Sequence, residues 1–265
     1  MAQLTREFLL QREAEVLKEI EVDKSRRITS KTYDTNISCF QFNYVYLAWL
    51  AWYLHKDLEK TRDYLYLATC MILDMFQRDK RCEAKIDSSF LGLVNINESW
   101  HALVANAPDL AVEVMKKTCA SNIDQDKNFW WLAGECSIAL IEGDESAAQG
   151  YCNHILNGPF PSRYAPTLRK NHEPFGKMFQ AILDGNLEAL EESTLAVARR
   201  NQGINTDGMS FYPHIFVLGV LKIAQMYGLE IEKYKPRYPK ELLHLPKSDF
   251  SHIDRWWERI EIHPA

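Results

Sequence analysis

The sequence predicts an all-α fold of antiparallel helical hairpins packed as an irregular bundle or short α-solenoid, and three observations carry that expectation. First, an apolar helix, a polar break and a second amphipathic helix recur along the 265 residues at intervals of roughly forty. The breaks read Leu54-His55-Lys56-Asp57, Ala105-Asn106-Ala107-Pro108-Asp109, Ile141-Glu142-Gly143-Asp144, Leu183-Asp184-Gly185-Asn186 and Met226-Tyr227-Gly228-Leu229. Second, 11 Gly and 10 Pro are few for this length, which favours helices over a turn-rich β fold. Third, no convincing alternation of apolar and polar residues, the mark of a half-buried strand, runs longer than four residues.

Residues 4–24 place Leu4, Phe8, Leu9, Val16, Leu17 and Ile20 on one side of a charged helix, followed by the basic linker Lys24-Ser25-Arg26-Arg27. A second helix, about 37–55, is apolar nearly all round and should be central. Asp57 suits the cap of a helix over 58–78 with the stripe Leu65, Ala68, Thr69, Ile72, Leu73 and Phe76. A helix near 88–105 precedes one over 108–119, which Pro108 opens from its first turn. Asp124 is a candidate cap for the helix of Phe129-Trp130-Trp131 that stops at Gly143. Asp144 starts a helix to Ile155. The stretch 157–174, with Pro159, Pro161, Pro166 and Pro174, reads as the longest loop and the internal sub-boundary of a single domain spanning 1–265. Helices over 174–184 and 186–200 follow, and Pro213 opens an apolar helix ending at Gly228. The tail holds short helices, with Ser251-x-x-Asp254 as a capping box. Aligning Gly143 with Gly185 sets Ala139 on Ala181, Ile141 on Leu183 and Ala148 on Leu190, without satisfying the tetratricopeptide consensus.

With 46% hydrophobic and 25% charged residues, the chain belongs with folded soluble proteins. A net charge of −5 argues against general nucleic-acid binding, which draws its affinity from cations on phosphate. Cys39, Cys70, Cys82, Cys119, Cys136 and Cys152 show no C-x-x-C spacing, and most sit at apolar helical positions, so reduced thiols are expected. The charged first helix has no signal-peptide character, and the longest apolar run, Tyr44–Leu54, is about half a membrane span. A cytoplasmic protein with no membrane contact is the expectation.

No residue pattern specifies a reaction. Two Glu-x-x-His pairs, Glu98/His101 and Glu241/His244, have the spacing of a di-iron bundle but lack its two further carboxylates, and they read better as half-exposed surface residues. Cys152 and His154 point in different directions on a helix, so they cannot form an activated nucleophile pair. There is no phosphate loop or dinucleotide fingerprint. The sequence therefore implies no catalytic residue, no metal and no cofactor. The segment Lys233-Tyr234-Lys235-Pro236-Arg237-Tyr238-Pro239-Lys240 combines cations and rings, as single-strand binders do, but reads better as a loop with packed tyrosines.

Two stretches are acidic. No Lys or Arg lies between Lys127 and Arg163 or between Lys177 and Arg199. The first stretch holds Glu135, Glu142, Asp144 and Glu145, and the second holds Asp184, Glu188, Glu191 and Glu192. Stacked in register, the two hairpin tips would form one negative edge able to steer a basic protein, with Glu142, Asp144, Glu145, Asp184, Glu188 and Glu191 as its contacts. Favourable acids at helix starts are the plainer explanation. Among the tryptophans, Trp49, Trp52, Trp130 and Trp131 suit the core, whereas Trp256 and Trp257, near the terminus among charges, suit an exposed or docking role.

The C-terminal third reads Gly208-Met209-Ser210-Phe211-Tyr212-Pro213, then Ile223-Ala224-Gln225-Met226-Tyr227-Gly228-Leu229, then Tyr238-Pro239-Lys240-Glu241-Leu242-Leu243. This order resembles the immunity protein 49 family of bacterial polymorphic toxin systems, and Tyr46–Ala51 with the helix over 57–76 is compatible with that family's first hairpin. The helical immunity proteins of PoNe-type DNase toxins end similarly and are the rival resemblance. The resemblance implies an all-α antitoxin that binds a cognate toxin, often a secreted nuclease with a basic surface, and blocks it without turnover. It transfers no functional residue. A helical-repeat adaptor for a peptide or protein, and a metal-dependent helical enzyme, are the alternatives.

Overall fold

Residues 5–25, 27–158, 165–201, 214–231 and 240–263 are described by the computed structural model. Ten α-helices run through them: α1 (Arg6–Lys24), α2 (Tyr33–Leu50), α3 (Leu58–Lys80), α4 (Val94–Val104), α5 (Pro108–Ser121), α6 (Phe129–Glu142), α7 (Glu145–Asn157), α8 (Ala165–Leu183), α9 (Leu187–Asn201) and α10 (Ile215–Met226). The described residues contain no strand, only an isolated bridge between Thr29 and His263.

All five polar breaks turn the chain by the same device. Each holds one residue in the left-handed region: Lys56, Asn106, Gly143, Gly185 and Gly228, the glycines at φ 78°, 62° and 78°. Such a residue reverses the chain and lets the next amide cap the helix just ended. Thus Ala107, Asp144, Asn186 and Leu229 donate to the carbonyls of Ala102, Ala139, Ala181 and Ala224 at 2.8–3.0 Å. At the first break, a π-helical turn over Ala51–His55 adds one residue, and Asp57 donates to Ala51 at 3.1 Å. The acceptor is a buried alanine every time. At three breaks the following residue immediately caps the next helix, as Asp57, Asp144 and Asn186 accept from Lys60, Ala147 and Ala189. The proposed superposition of Ala139 on Ala181 is therefore realised atom for atom in the capping bonds.

Other expected boundaries move. The helix expected from 88 starts at Val94, because Asp87 binds Ser89 and closes a separate turn. Asn128, not Asp124, caps α6, since Asp124 lies in a short 3-10 turn. The loop expected over 157–174 is shorter, as α8 begins at Ala165 and carries Pro174 in its interior. Pro166 costs nothing there, because a first-turn N–H has no helical acceptor. Ser251 starts no helix; its hydroxyl and amide both go to Asp249. Pro213, Gly208–Tyr212 and Lys233–Pro239 lie outside the described residues.

Successive helices from α2 to α9 pack against one another, and α10 lies across α4, α6 and α8. Phe216 on α10 meets Trp100 of α4 at 4.7 Å and Phe175 of α8 at 4.5 Å between ring centroids. Gly219 permits this approach, since a Cβ there would fall 2.3 Å from the Trp100 ring.

The C-terminal segment 240–263 is held mainly by side chains that read its carbonyls. Lys222 donates to Leu243 at 2.6 Å and also to the Asn106 side chain, which in turn donates to Leu245. Arg62 donates to Pro246, and Arg78 to Trp257 and Glu258. The expectation of exposure is overturned for Trp257, whereas Trp256 is half-buried. Trp257 is fully buried, and Trp256 packs edge-on to Phe40 at 4.7 Å and donates to the Tyr44 hydroxyl. Asp254, Glu258 and Arg259 around them are exposed, while the Trp257 ring closes the core.

Burial pushes the Lys222 ammonium down to about 8. Its folded form thus sheds a proton between pH 8 and its ordinary range near 10.5, so this residue adds stability as pH rises through that window. Buried tyrosines such as Tyr44 and Tyr64 are pushed up and act oppositely above pH 10, where unfolded tyrosines ionise. Between pH 8 and 10, urea unfolding should show the wild type gaining about 1–3 kcal/mol relative to Lys222→Met. Parallel curves would refute this assignment.

Candidate partner-binding surface

The turns after α6 and α8 lie at one end of the molecule, because α7 packs antiparallel between the two helices. Side chains join them: Gln149 of α7 donates to Gln180 of α8 at 2.8 Å, and Gln180 donates to Asp184 at 2.8 Å. The turn at Gly228 comes to the same end. Burial raises the Tyr227 phenol and the Glu145 carboxylate adds to the shift, while burial and then Asp184 bring the Cys152 thiol to about 12.

This geometry sets the predicted acids side by side, and their roles differ. Glu142, Asp144, Glu145, Asp184 and Glu188 are exposed, while Glu191 is half-buried. Asp144 spends one carboxylate oxygen on the Ala147 amide as the cap of α7. Asp184 accepts from Gln180. Neither Glu145 nor Glu188 forms an ion pair among the described residues. The backbone beneath is rigid, since each turn is closed by its alanine carbonyl and its Asx cap.

One residue escaped the sequence argument. Lys116, on α5, pairs with Glu142 across the α5–α6 contact. A search of sequence windows cannot see a cation delivered by a neighbouring helix. At the first break Lys56 sits over the rings of Trp52 at 5.2 Å and Tyr53 at 5.7 Å, and Asp57 beside it caps α3, so that tip carries both signs. The acidic stretch is therefore the pair of tips at Gly143 and Gly185.

The remaining candidates separate from this surface. His101 is buried rather than half-exposed, with Nδ1 at 2.9 Å from the Glu98 carbonyl, and Glu98 accepts from Gln41 at 2.7 Å. Helix α4 is covered by α3, α5, α6 and α10, which is why His101 is internal, while Glu98 is half-buried at the edge. Glu241 and His244 are exposed on a 3-10 turn, where Glu241 accepts from the Trp52 indole. Among the described residues, no three His, Cys, Asp or Glu side chains converge as a metal site would require. Cys152 lies under Gly176 and Gln180 and is directed away from His154. All six cysteines are unpaired; Cys70, Cys119, Cys136 and Cys152 are buried, and desolvation raises each of these thiols. No helix among the described residues is long and apolar enough to cross a membrane.

No protein family, curated protein or solved structure matches the chain.

Proposed function

We propose that this chain is an immunity-type antitoxin, a noncatalytic binder that neutralises a basic toxin, of the secreted nuclease class, by covering it. The observation that carries the reading is the pair of linked acidic tips, in which carboxylates project from turns fixed by backbone caps. A rigid charged edge loses little entropy on binding and accelerates encounter with an oppositely charged protein. The resemblance of the C-terminal third to immunity proteins supports the same class. The adaptor alternative requires an open groove on a helical-repeat face. Here the face of α4, α6 and α8 is covered by α10, and its aromatics are spent on Phe216.

The test reverses Glu142, Glu145, Asp184 and Glu188 to lysine together, leaving the α7 cap Asp144 in place. Association with the cognate toxin, sought as the product of a neighbouring gene, should slow about tenfold or more at low salt, with dissociation changing less. An association rate equal to wild type at low salt would reject this surface.

A further inference from the structure

The three buried Lys and Arg side chains among the described residues all face the same segment of chain. Arg62 and Arg78 of α3 and Lys222 of α10 each donate to main-chain carbonyls of residues 240–263. With Asn106, from the turn after α4, they read the carbonyls of Leu243, Leu245, Pro246, Lys247, Trp257 and Glu258. Their ion pairs go elsewhere. Arg62 meets Asp63, and Arg78 meets Asp74 and Glu83, so no acid of the segment takes part. Donors that read carbonyls hold a backbone, while pockets for particular side chains supply specificity, which is how extended peptides are bound.

The pockets lie at two places. Leu242, Leu243 and Leu245 are buried in one and Trp257 in the other, and no residue from Pro246 to Trp256 is buried. Main chain meets main chain only at the far end, where His263 donates to Ile28 at 3.1 Å and accepts from Ser30 at 3.0 Å. The docked state also carries a cost that release returns. Lys222 is dehydrated with the Asn106 side chain and the Leu243 carbonyl as its partners, and no carboxylate compensates it. Lys247, on the segment itself, adds a like charge.

We propose that α2, α3, α10 and the turn after α4 form a groove for an extended peptide, filled in cis by residues 240–263. The segment is a strap that leaves and returns as a unit while the helices stay folded. The ligand class is a polypeptide with a leucine cluster followed at a distance by a tryptophan. The proposal is independent of the acidic tips, which involve α6 to α9.

Fluorescence anisotropy with a labelled synthetic peptide of residues 240–263 tests it on the full chain. The wild type should bind this peptide weakly, because apparent affinity scales with the fraction of open grooves. Trp257→Ala loosens the strap and leaves the groove intact. That chain should keep its helical circular dichroism and bind at least tenfold more tightly, at one peptide per chain. A peptide that itself carries Trp257→Ala should bind it roughly thirtyfold more weakly. As a second readout, hydrogen exchange of the wild type in dilute urea should release the amides of Ile253, Glu258, Ile260 and His263 in one opening, at lower urea than those of α3. Exchange of these amides only together with α3 overturns the proposal. So does a Trp257→Ala chain that loses its helices, that binds no peptide at hundreds of micromolar, or that binds both peptides alike.

Discussion

Replacing Arg78 by alanine should cost the fold about 3–5 kcal/mol, the largest single loss expected of any polar residue. Its guanidinium is buried and makes bonds in three directions: to Asp74 at 3.0 Å, to Glu83 at 3.3 Å and to the carbonyls of Trp257 and Glu258. The same carboxylate of Asp74 takes the Tyr33 hydroxyl, and the guanidinium lies 4.9 Å from the Tyr33 ring centre. Alanine would leave a buried carboxylate without its counter-ion and two tail carbonyls without a donor. The cost comes from those orphaned partners rather than from the net value of the pair, which desolvation reduces. Arg78→Lys keeps the charge but not the planar fork, so it should lose less than alanine while still releasing the tail carbonyls. Urea unfolding measures both. A loss under 1 kcal/mol for Arg78→Ala would mean that this network does not secure the C-terminal segment.

Trp257→Ala should cost a comparable 3–5 kcal/mol, as expected for emptying the site of a fully enclosed ring. Its indole nitrogen is buried without a hydrogen-bond partner, so Trp257→Phe removes volume and relieves an unsatisfied donor together. Phenylalanine should therefore retain most of the stability. A docking tryptophan would behave in the opposite way, with alanine sparing the fold and abolishing binding. Denaturation of the two variants, read beside binding of the partner, separates these roles.

Helix order was legible because the polar breaks carry their own chemistry. Gly143, Gly185 and Gly228 each follow an alanine by four residues, and the alanine carbonyl accepts the capping bond. That Ala-x-x-x-Gly spacing stands in the sequence, and Asn106 repeats it with the other residue that tolerates positive φ. The first break hid the pattern, because its π-helical turn lengthens the spacing by one residue. Prolines misled where they fall in helices: Pro174 lies within α8, and packing on α7 through Gly176 outweighs the lost hydrogen bond. The tail misled for another reason. Charge around Trp256 and Trp257 suggested exposure, yet Arg78 holds the Trp257 carbonyl and Phe40 and Tyr44 hold the Trp256 ring, all more than 170 residues earlier. Such contacts leave no local trace.

The candidate surface was legible in part on the same grounds. Glu142, Asp144, Asp184 and Glu188 sit at helix ends that the breaks already placed, so their clustering followed from hairpin stacking. The pairing of Lys116 with Glu142 did not follow, because it depends on which helices become neighbours. The outward apolar residues of α1 were masked by periodicity itself. Phe8 and Leu17 were counted with Leu9, Val16 and Ile20 on one side, but only the last three are buried.

The central claim is that this chain acts by covering another macromolecule, mole for mole, without turnover. The direct measurement titrates it into a fixed amount of the cognate toxin, sought as the product of a neighbouring gene, and follows residual toxin activity. Residual activity should fall linearly to zero at one chain per toxin and return when the two are separated. Inactivation at a small fraction of one equivalent, a chemically altered toxin after separation, or no effect at tenfold excess would contradict the account.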